Sequence, residues 1–302
     1  MQGVISFKQL TAGDKYPFFP RSNHSINGSK FCGFFKRRGF NLSISAISQN
    51  DITHEAQDAS KRALAKKAVG LVKSGMVVGL GTGSTASLAI EELGRLISQG
   101  KLKDVVAVGA NYQSRVLARQ FGVKTVDLND VNNVDIAFDG ADEVDLNKNI
   151  LKGGGAAHTM QKVLDSMAKE CIILVDQSKV VLQLGSTFPV PVEVLPPAIS
   201  PVLRRLVTLG GVPEIRSALR KDGPVITDLG NMMVDVSFPN GIQNPAELEK
   251  SINIIPGVIE NGIVSGVASS VVVAIQGRDD VMVISLEEFA KILRDQTKAD
   301  ST

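Results

Sequence analysis

Three short segments of the sequence combine glycine with side chains that can bind an anion or move a proton. They are the bend Gly81–Thr85, the acidic run Asp139–Asp145, and Lys152–Gly155, in which three glycines follow a lysine. Glycine lets backbone amides approach an anion closely, carboxylates exchange protons, and a lysine ammonium stabilises a developing oxyanion. The segments therefore predict a site for a small molecule, with acid–base chemistry.

The bend Gly81–Thr85 lies between an apolar run and an amphipathic segment, which predicts a strand, a turn and a helix. The amides at a helix start favour a phosphate or a sugar hydroxyl. Two alternatives stay open: a plain tight turn with Ser84 or Thr85 capping the helix, and a dinucleotide site. The second lacks the acid expected about twenty residues on, because Val108–Asn111 contains none.

The acidic run follows an apolar strand, where open α/β sheets place their ligands. Its carboxylates could bind a metal, bind sugar hydroxyls or move protons, and the alternative is a solvated turn. Metal is less favoured, since the run has neither EF-hand spacing nor a histidine. Lys152 is either an anion-binding group or a solvated lysine on a loose loop.

Alternating apolar segments must position these residues. The spacing predicts helices over 59–73, 86–97, 114–120 and 157–169, and strands over 76–80, 105–108, 124–128, 134–138 and 171–175. Such alternation is typical of a parallel sheet with helices on both faces.

The pattern changes at the proline-rich segment Phe188–Pro191. A helix over 202–208, strands over 224–227 and 232–236 joined by a tight turn, and a helix over 246–252 predict a small α+β domain. Strands over 271–275 and 281–284 and a helix over 286–293 are expected to rejoin the first domain. We therefore predict a catalytic α/β domain over 51–187 and 263–302, with residues 188–262 inserted.

Composition limits the remaining possibilities. The 302 residues are 43% hydrophobic and 21% charged, and the formal net charge is +2. We expect no membrane span and no nucleic-acid partner, and a small molecule instead. Cys32 and Cys171 show no ligand spacing, so we expect a reducing compartment and no zinc site.

The first fifty residues contain seven lysines and arginines and one acid, Asp14. A basic, serine-containing and acid-poor leader is typical of an organelle transit peptide. We predict a chloroplast address over residues 1–50, with a mitochondrial address or a disordered basic tail as alternatives.

The three segments, in this order and at this spacing, resemble the ribose-5-phosphate isomerase type A family, and Pro189–Val194 looks like its P-x-P-V-E-V segment. The resemblance implies a Rossmann-like α/β domain with an inserted ferredoxin-like α+β domain. It also implies a homodimer or homotetramer that uses no cofactor. The implied reaction is the interconversion of ribose 5-phosphate and ribulose 5-phosphate through an enediolate, in the pentose phosphate pathway.

The resemblance also implies roles for individual residues. Asp139 and Asp142 would assist ring opening and bind hydroxyls, and Lys152 would stabilise the enediolate oxygen. The remaining implied substrate contacts are Thr82, Gly83, Ser84, Thr85, Gly153 and Lys179.

Two departures from the family pattern stand out. Gln161 occupies the position of the general-base glutamate, and an amide cannot carry a proton near neutral pH. The segment Gly109–Ser114 replaces a run of Ser and Thr hydroxyls. We hypothesise that His158 takes over the proton transfer; the alternative is a solvated or capping histidine. The competing function is a catalytically weak homologue that binds a sugar phosphate or a related subunit in a regulatory role.

Overall fold

The structure, a computed structural model, describes residues 54–277 and 281–299, and the leader predicted over residues 1–50 lies outside these ranges. The helices are α1 His54–Val69, α2 Ser84–Ser98, α3 Tyr112–Gln120, α4 Thr159–Met167, α5 Ile199–Thr208, α6 Pro245–Asn253 and α7 Leu286–Ala299. The strands are β1 Val77–Leu80, β2 Val106–Gly109, β3 Val134–Asp139, β4 Glu143–Val144, β5 Ile150–Leu151, β6 Ala168–Asp176, β7 Val190–Val194, β8 Val212–Ile215, β9 Met232–Ser237, β10 Val258–Asn261, β11 Ile263–Val264, β12 Ser270–Gln276 and β13 Val281–Ser285.

The largest sheet has six strands in the order β13-β12-β6-β3-β1-β2, all parallel except β13. Its β6 strand shows that both faces are covered. Ile172 and Leu174 pack into a cluster with α1 and α2, while Ile173 and Val175 pack on the other face with α7. Strands buried on both faces need continuous apolar runs, which is the pattern that predicted them.

The strand order reverses at β1, because β2 lies on one side of it and β3 on the other. Open α/β sheets bind ligands at such a switch point, beyond the carboxyl ends of the strands. Gly81 follows β1 and Asp139 ends β3, so the glycine bend and the acidic run meet at this point.

A second, antiparallel sheet has the order β10-β7-β9-β8. With α5 and α6 it follows the chain order strand, helix, strand, strand, helix, strand, which is the ferredoxin-like arrangement, and its core is a separate apolar cluster. The predicted fold class, a Rossmann-like sheet with a ferredoxin-like α+β unit, is confirmed. The predicted domain boundaries stay a prediction. A small third sheet, β11-β5-β4, pairs the strand that follows β10 with the two short strands between β3 and α4.

Two predicted strands are wrong. Over 124–128 only Thr125 makes a bridge, because Asp127 accepts a hydrogen bond from the Asn129 amide and turns the chain. Over 224–227 the chain makes isolated bridges, and the strand partners of β9 are β7 and β8.

The proline-rich segment contains a strand, β7. β7 lies between β9 and β10, but the residues of β7 that pair with β10 are Val192, Glu193 and Val194. Pro191 therefore lies beyond that pairing, where its missing N–H leaves no partner unsatisfied. Among the described residues, no helix has the length and hydropathy of a membrane span.

Candidate active site

The carboxylate of Asp139, at the carboxyl end of β3, is the centre of the site. It is fully buried. One oxygen lies 2.7 Å from Lys152 Nζ, and Gln161 Nε2 donates to both oxygens at 2.9 Å. The amides of Gly140 and Thr82 donate to Oδ1 at 2.7 and 3.3 Å. Segments distant in sequence thus converge on one carboxylate.

Gly81 is required by the close approach of this carboxylate to the bend. A Cβ at position 81 would lie 2.2 Å from Asp139 Oδ1, a distance that no side chain tolerates. The absence of a side chain therefore lets the bend and the acid share one place.

Lys152 is buried with its carboxylate partner. Its Nζ also donates to the Gly140 carbonyl at 2.5 Å. Burial opposes the charge on the ammonium, but the negative charge of the adjacent Asp139 outweighs this effect and raises the pKa of Lys152. Lys152 is thus a cation at neutral pH, held at the switch point.

The triple-glycine loop is held from both sides. Asp142 accepts a hydrogen bond from the Gly154 amide at 2.7 Å. Arg216, which follows β8, donates to the carbonyls of Gly153 and Gly154 at 2.9 and 3.1 Å. Asp235 on β9 fixes this guanidinium through two contacts of 2.8 and 2.5 Å. Sequence reasoning missed Arg216, because nothing in the sequence links it to the loop.

The hydroxyl-bearing bend opens α2. Gly83 is the N-cap, at φ 95°, and has no side chain to cap the helix amides. The alternative in which Ser84 or Thr85 is the cap is therefore wrong. Thr82 and Thr85 are half-buried and Ser84 is exposed, next to the uncapped first turn. The amides and hydroxyls together can receive an anion.

The predicted substrate residue Lys179 and the departing segment Gly109–Ser114 make no contact with the central carboxylate among the described hydrogen bonds. Lys179 is half-buried in the short helical turn after β6, and β6 is the sheet neighbour of β3. In the departing segment, Asn111 caps α3 and exchanges hydrogen bonds with Ser114. Those two polar groups are therefore occupied by the helix start.

His158 does not fit the role of a substitute base. Its ring is fully buried at the N-cap of α4, and Nε2 lies 3.2 Å from the Glu260 carbonyl. Nδ1 has no hydrogen-bond partner among the described residues. Burial lowers the pKa of His158 to about 4, so the ring is neutral and faces the antiparallel sheet instead of Asp139. Our hypothesis is wrong on this geometry. The alternative, a solvated or capping histidine, is wrong as well, because the ring is buried and makes no side-chain cap hydrogen bond although His158 is the N-cap residue.

A cavity of about 320 Å³ lies beside the site. It is lined by the end of β2, the start of α3, residues 126–129, Glu193 and the turn Thr227–Leu229, and by Ala156, Ala157, Thr159, Met160, Val163 and Leu164. None of Thr82, Asp139, Asp142, Lys152 or Gln161 lines it. The buried Lys152–Asp139 pair therefore lies outside this cavity and does not line it. In the part of the chain that the structure describes, no three His, Cys, Asp or Glu side chains are placed to hold a metal ion.

The parallel sheet, the ferredoxin-like unit and the lysine–aspartate pair define a Rossmann-like α/β protein with a polar site at its switch point. A family model described as ribose 5-phosphate isomerase A (phosphoriboisomerase A) matches residues 106–278. A protein named ribose-5-phosphate isomerase A from Thermosynechococcus vestitus is 53% identical over 222 residues, covering 74% of this chain and 94% of that protein. The chain therefore belongs to the ribose 5-phosphate isomerase A family.

Solved structures agree with this placement. Ribose 5-phosphate isomerase A from Methanocaldococcus jannaschii is 48% identical, with a TM-score of 0.70 over 75% of this chain and 98% of that one. A D-ribose-5-phosphate isomerase in complex with phospho-erythronic acid is 41% identical, with a TM-score of 0.71 over 75% of this chain and 97% of that one.

Proposed function

We propose that the chain interconverts ribose 5-phosphate and ribulose 5-phosphate through an enediolate. The observation that carries the proposal is the buried Lys152–Asp139 pair at the switch point, next to a helix start that can receive a phosphate. Membership of the family and a relative in complex with phospho-erythronic acid support a sugar phosphate as the ligand.

The chemistry assigns a task to each group. The Thr82–Thr85 bend holds the substrate, and Asp139 and Asp142 assist ring opening. In the open aldose the C2–H bond breaks, its electron pair forms C1=C2, and the carbonyl electrons move to O1, where Lys152 stabilises the negative charge. The O2 proton then moves to O1, and a carboxylate returns the first proton to C1.

Gln161 limits the choice of that carboxylate. Its amide donates to both oxygens of Asp139 and cannot itself accept and return a proton. We assign the proton transfer to Asp139, the carboxylate that Lys152 contacts, and expect slower turnover than with a glutamate at 161. The same amide favours a second candidate, a catalytically weak protein that binds sugar phosphate in a regulatory role.

Gln161→Glu tests the assignment. A positioned general base contributes roughly 10²–10⁴-fold to the rate, so we expect kcat to rise by about 10²-fold or more in this variant. Steady-state isomerisation of ribose 5-phosphate by the purified chain measures it, and Gln120→Glu, at an exposed position of α3, is the matched control.

The outcomes separate the two candidates. An unchanged kcat in Gln161→Glu would show that position 161 does not face the reacting carbons. If calorimetry shows that the wild type and Gln161→Glu both bind ribose 5-phosphate but neither turns it over, the regulatory candidate is favoured. If neither protein binds or turns over ribose 5-phosphate, both candidate functions are excluded.

A further inference from the structure

Asp165 is a buried acid that the chemistry above does not use. It lies on α4 four residues after Gln161, so the two side chains share one face of the helix. Asp165 is 2% exposed, and neither carboxyl oxygen receives a hydrogen bond from a donor in the described part of the chain. A buried carboxylate without donors is unfavourable, so this side chain needs a proton.

The surroundings of Asp165 show where that proton points. The groups that face it are Asp139 at the end of β3, Lys152 before α4, and the thiol of Cys171 on β6. The negative charge of Asp139 acts on Asp165, and Asp139 can accept a hydrogen bond from a proton on Asp165. Burial raises the pKa of Cys171, which keeps the thiol neutral.

Helix α4 packs against three strands, β3, β6 and β10. The third of these, β10, contributes no further charge to Asp165. On β10, Glu260 is paired with Lys162 at 2.8 Å, so both of those charges are engaged with each other. Lys152 is thus the cation available to two buried carboxyls.

One lysine cannot neutralise two carboxylates. Burial, and then the negative charge of Asp139, raise the pKa of Asp165 well above its ordinary range, and Lys152 offsets this only in part. Two carboxyls in contact in a low-dielectric site share one proton for the same reason.

We propose that Asp165 is a positioning residue that keeps a proton at neutral pH. With this proton it donates a hydrogen bond to Asp139, so that the two side chains act as one carboxyl pair. The catalytic role of Asp165 rests on the proposed function, whereas its protonated state at neutral pH does not. During turnover Asp139 takes the proton from C2 and returns it to C1. The proton on Asp165 stays in the pair, so none is gained or lost.

Infrared difference spectra of the full chain test for the proton directly. We expect the carbonyl band of a protonated carboxyl in the wild type and its loss in Asp165→Asn. Asp135→Asn is the matched control, because Asp135 lies at the other end of β3 and is engaged by Lys169 and the Val77 amide. A wild-type spectrum without the band overturns the proposal, whether or not the chain is an isomerase.

Kinetics test the positioning role. Asp165→Ala should lower kcat by about 10- to 100-fold with little change in KM, the size of a lost hydrogen bond to a charged group. Asp165→Asn should restore most of kcat, because its amide donates to Asp139, and should lose the alkaline limb of the wild-type pH profile.

The results distinguish the two proposals. An alkaline limb that persists unchanged in Asp165→Asn, or wild-type kcat in Asp165→Ala, overturns the positioning role. If neither the wild type nor any variant isomerises ribose 5-phosphate, the proposed function fails. The infrared band still decides whether Asp165 holds the proton.

Discussion

An amide in place of a carboxylate at position 161 changes how many negative charges the buried cluster carries. Asp139, Lys152 and Gln161 together are electrically balanced, and a second carboxyl, Asp165, fits only when it is neutral. The function of the site therefore depends on which acid holds the proton, more than on how many acids are present.

His158 makes a separate prediction at the residue scale. Its pKa is about 4 in the folded chain and 6.5 in its ordinary state, because burial disfavours the charged ring. Between these values the unfolded chain binds the extra proton, so stability falls as pH drops from 6.5 towards 4. The expected loss is on the order of 3 kcal/mol.

Urea unfolding of wild type and His158→Gln from pH 7 to pH 4 measures this loss. The variant should lack that part of the pH dependence. Asp165 contributes with the opposite sign, because its raised pKa lets the folded chain gain its proton at higher pH. The difference between the two proteins removes that contribution, and parallel curves would contradict a buried neutral ring.

Much of the site could be predicted at this scale. The glycine bend, Asp139 and Lys152 are recognisable from their types, because anion binding and proton transfer require them. Asp165 was missed, although its spacing of four from Gln161 was a usable signal. The burial of His158 could not be predicted, since it depends on Glu260, which is 102 residues away.

At the scale of elements, the orientation of α4 decides where Gln161 and Asp165 point. Lys162, between them in sequence, reaches the other way and donates to Glu249 and Glu260 at 2.8 Å. It also donates to the Asn261 and Ile263 carbonyls at 3.1 and 2.7 Å. One ammonium thereby ties α4 to α6, β10 and β11.

Lys162→Met should destabilise the protein. It leaves two largely buried carboxylates without their cation, which costs about 3–5 kcal/mol for a fully buried pair, and we expect the lower end of this range. Lys169→Met is the matched control, because Lys169 is 63% exposed in its pair with Asp135 and should cost less than about 1 kcal/mol. Equal shifts in the two denaturation midpoints would count against the role of Lys162.

The elements that sequence patterns missed share a physical cause. β7 and β8 contain proline, and their pairing is set by partners far along the chain. Residues 124–128 have strand-like composition, but the side chain of Asp127 offers the backbone a competing turn. Local patterns predicted the parallel strands well, since those are apolar throughout, and gave little information on strands that depend on distant partners.

At the scale of the whole molecule, Arg216 couples the antiparallel sheet to the triple-glycine loop. Arg216→Ala removes both hydrogen bonds to the loop carbonyls and leaves Asp235 without its cation. Because the loop carries Lys152, we expect kcat/KM to fall by about tenfold, the size of one lost charge-assisted hydrogen bond.

Steady-state kinetics with ribose 5-phosphate measure this effect. Arg220→Ala, which removes an exposed arginine four residues further on, should leave kcat/KM unchanged. Arg216→Lys keeps the charge but not the fork that binds two carbonyls, and should recover only part of the rate. Equal kinetics in all three variants would show that the loop holds its shape alone.

Helix α1 docks on the last strands of the large sheet. Ser60 Oγ donates to Gln276 Oε1 at 2.7 Å and Lys67 Nζ to the Val283 carbonyl at 2.8 Å, each across 216 positions of sequence. During synthesis the ribosome releases α1 early and β12 and β13 late. Helix α1 also packs on α2 and β6, which are made earlier, so only the part of α1 that contacts β12 and β13 waits for its partners until translation is nearly finished.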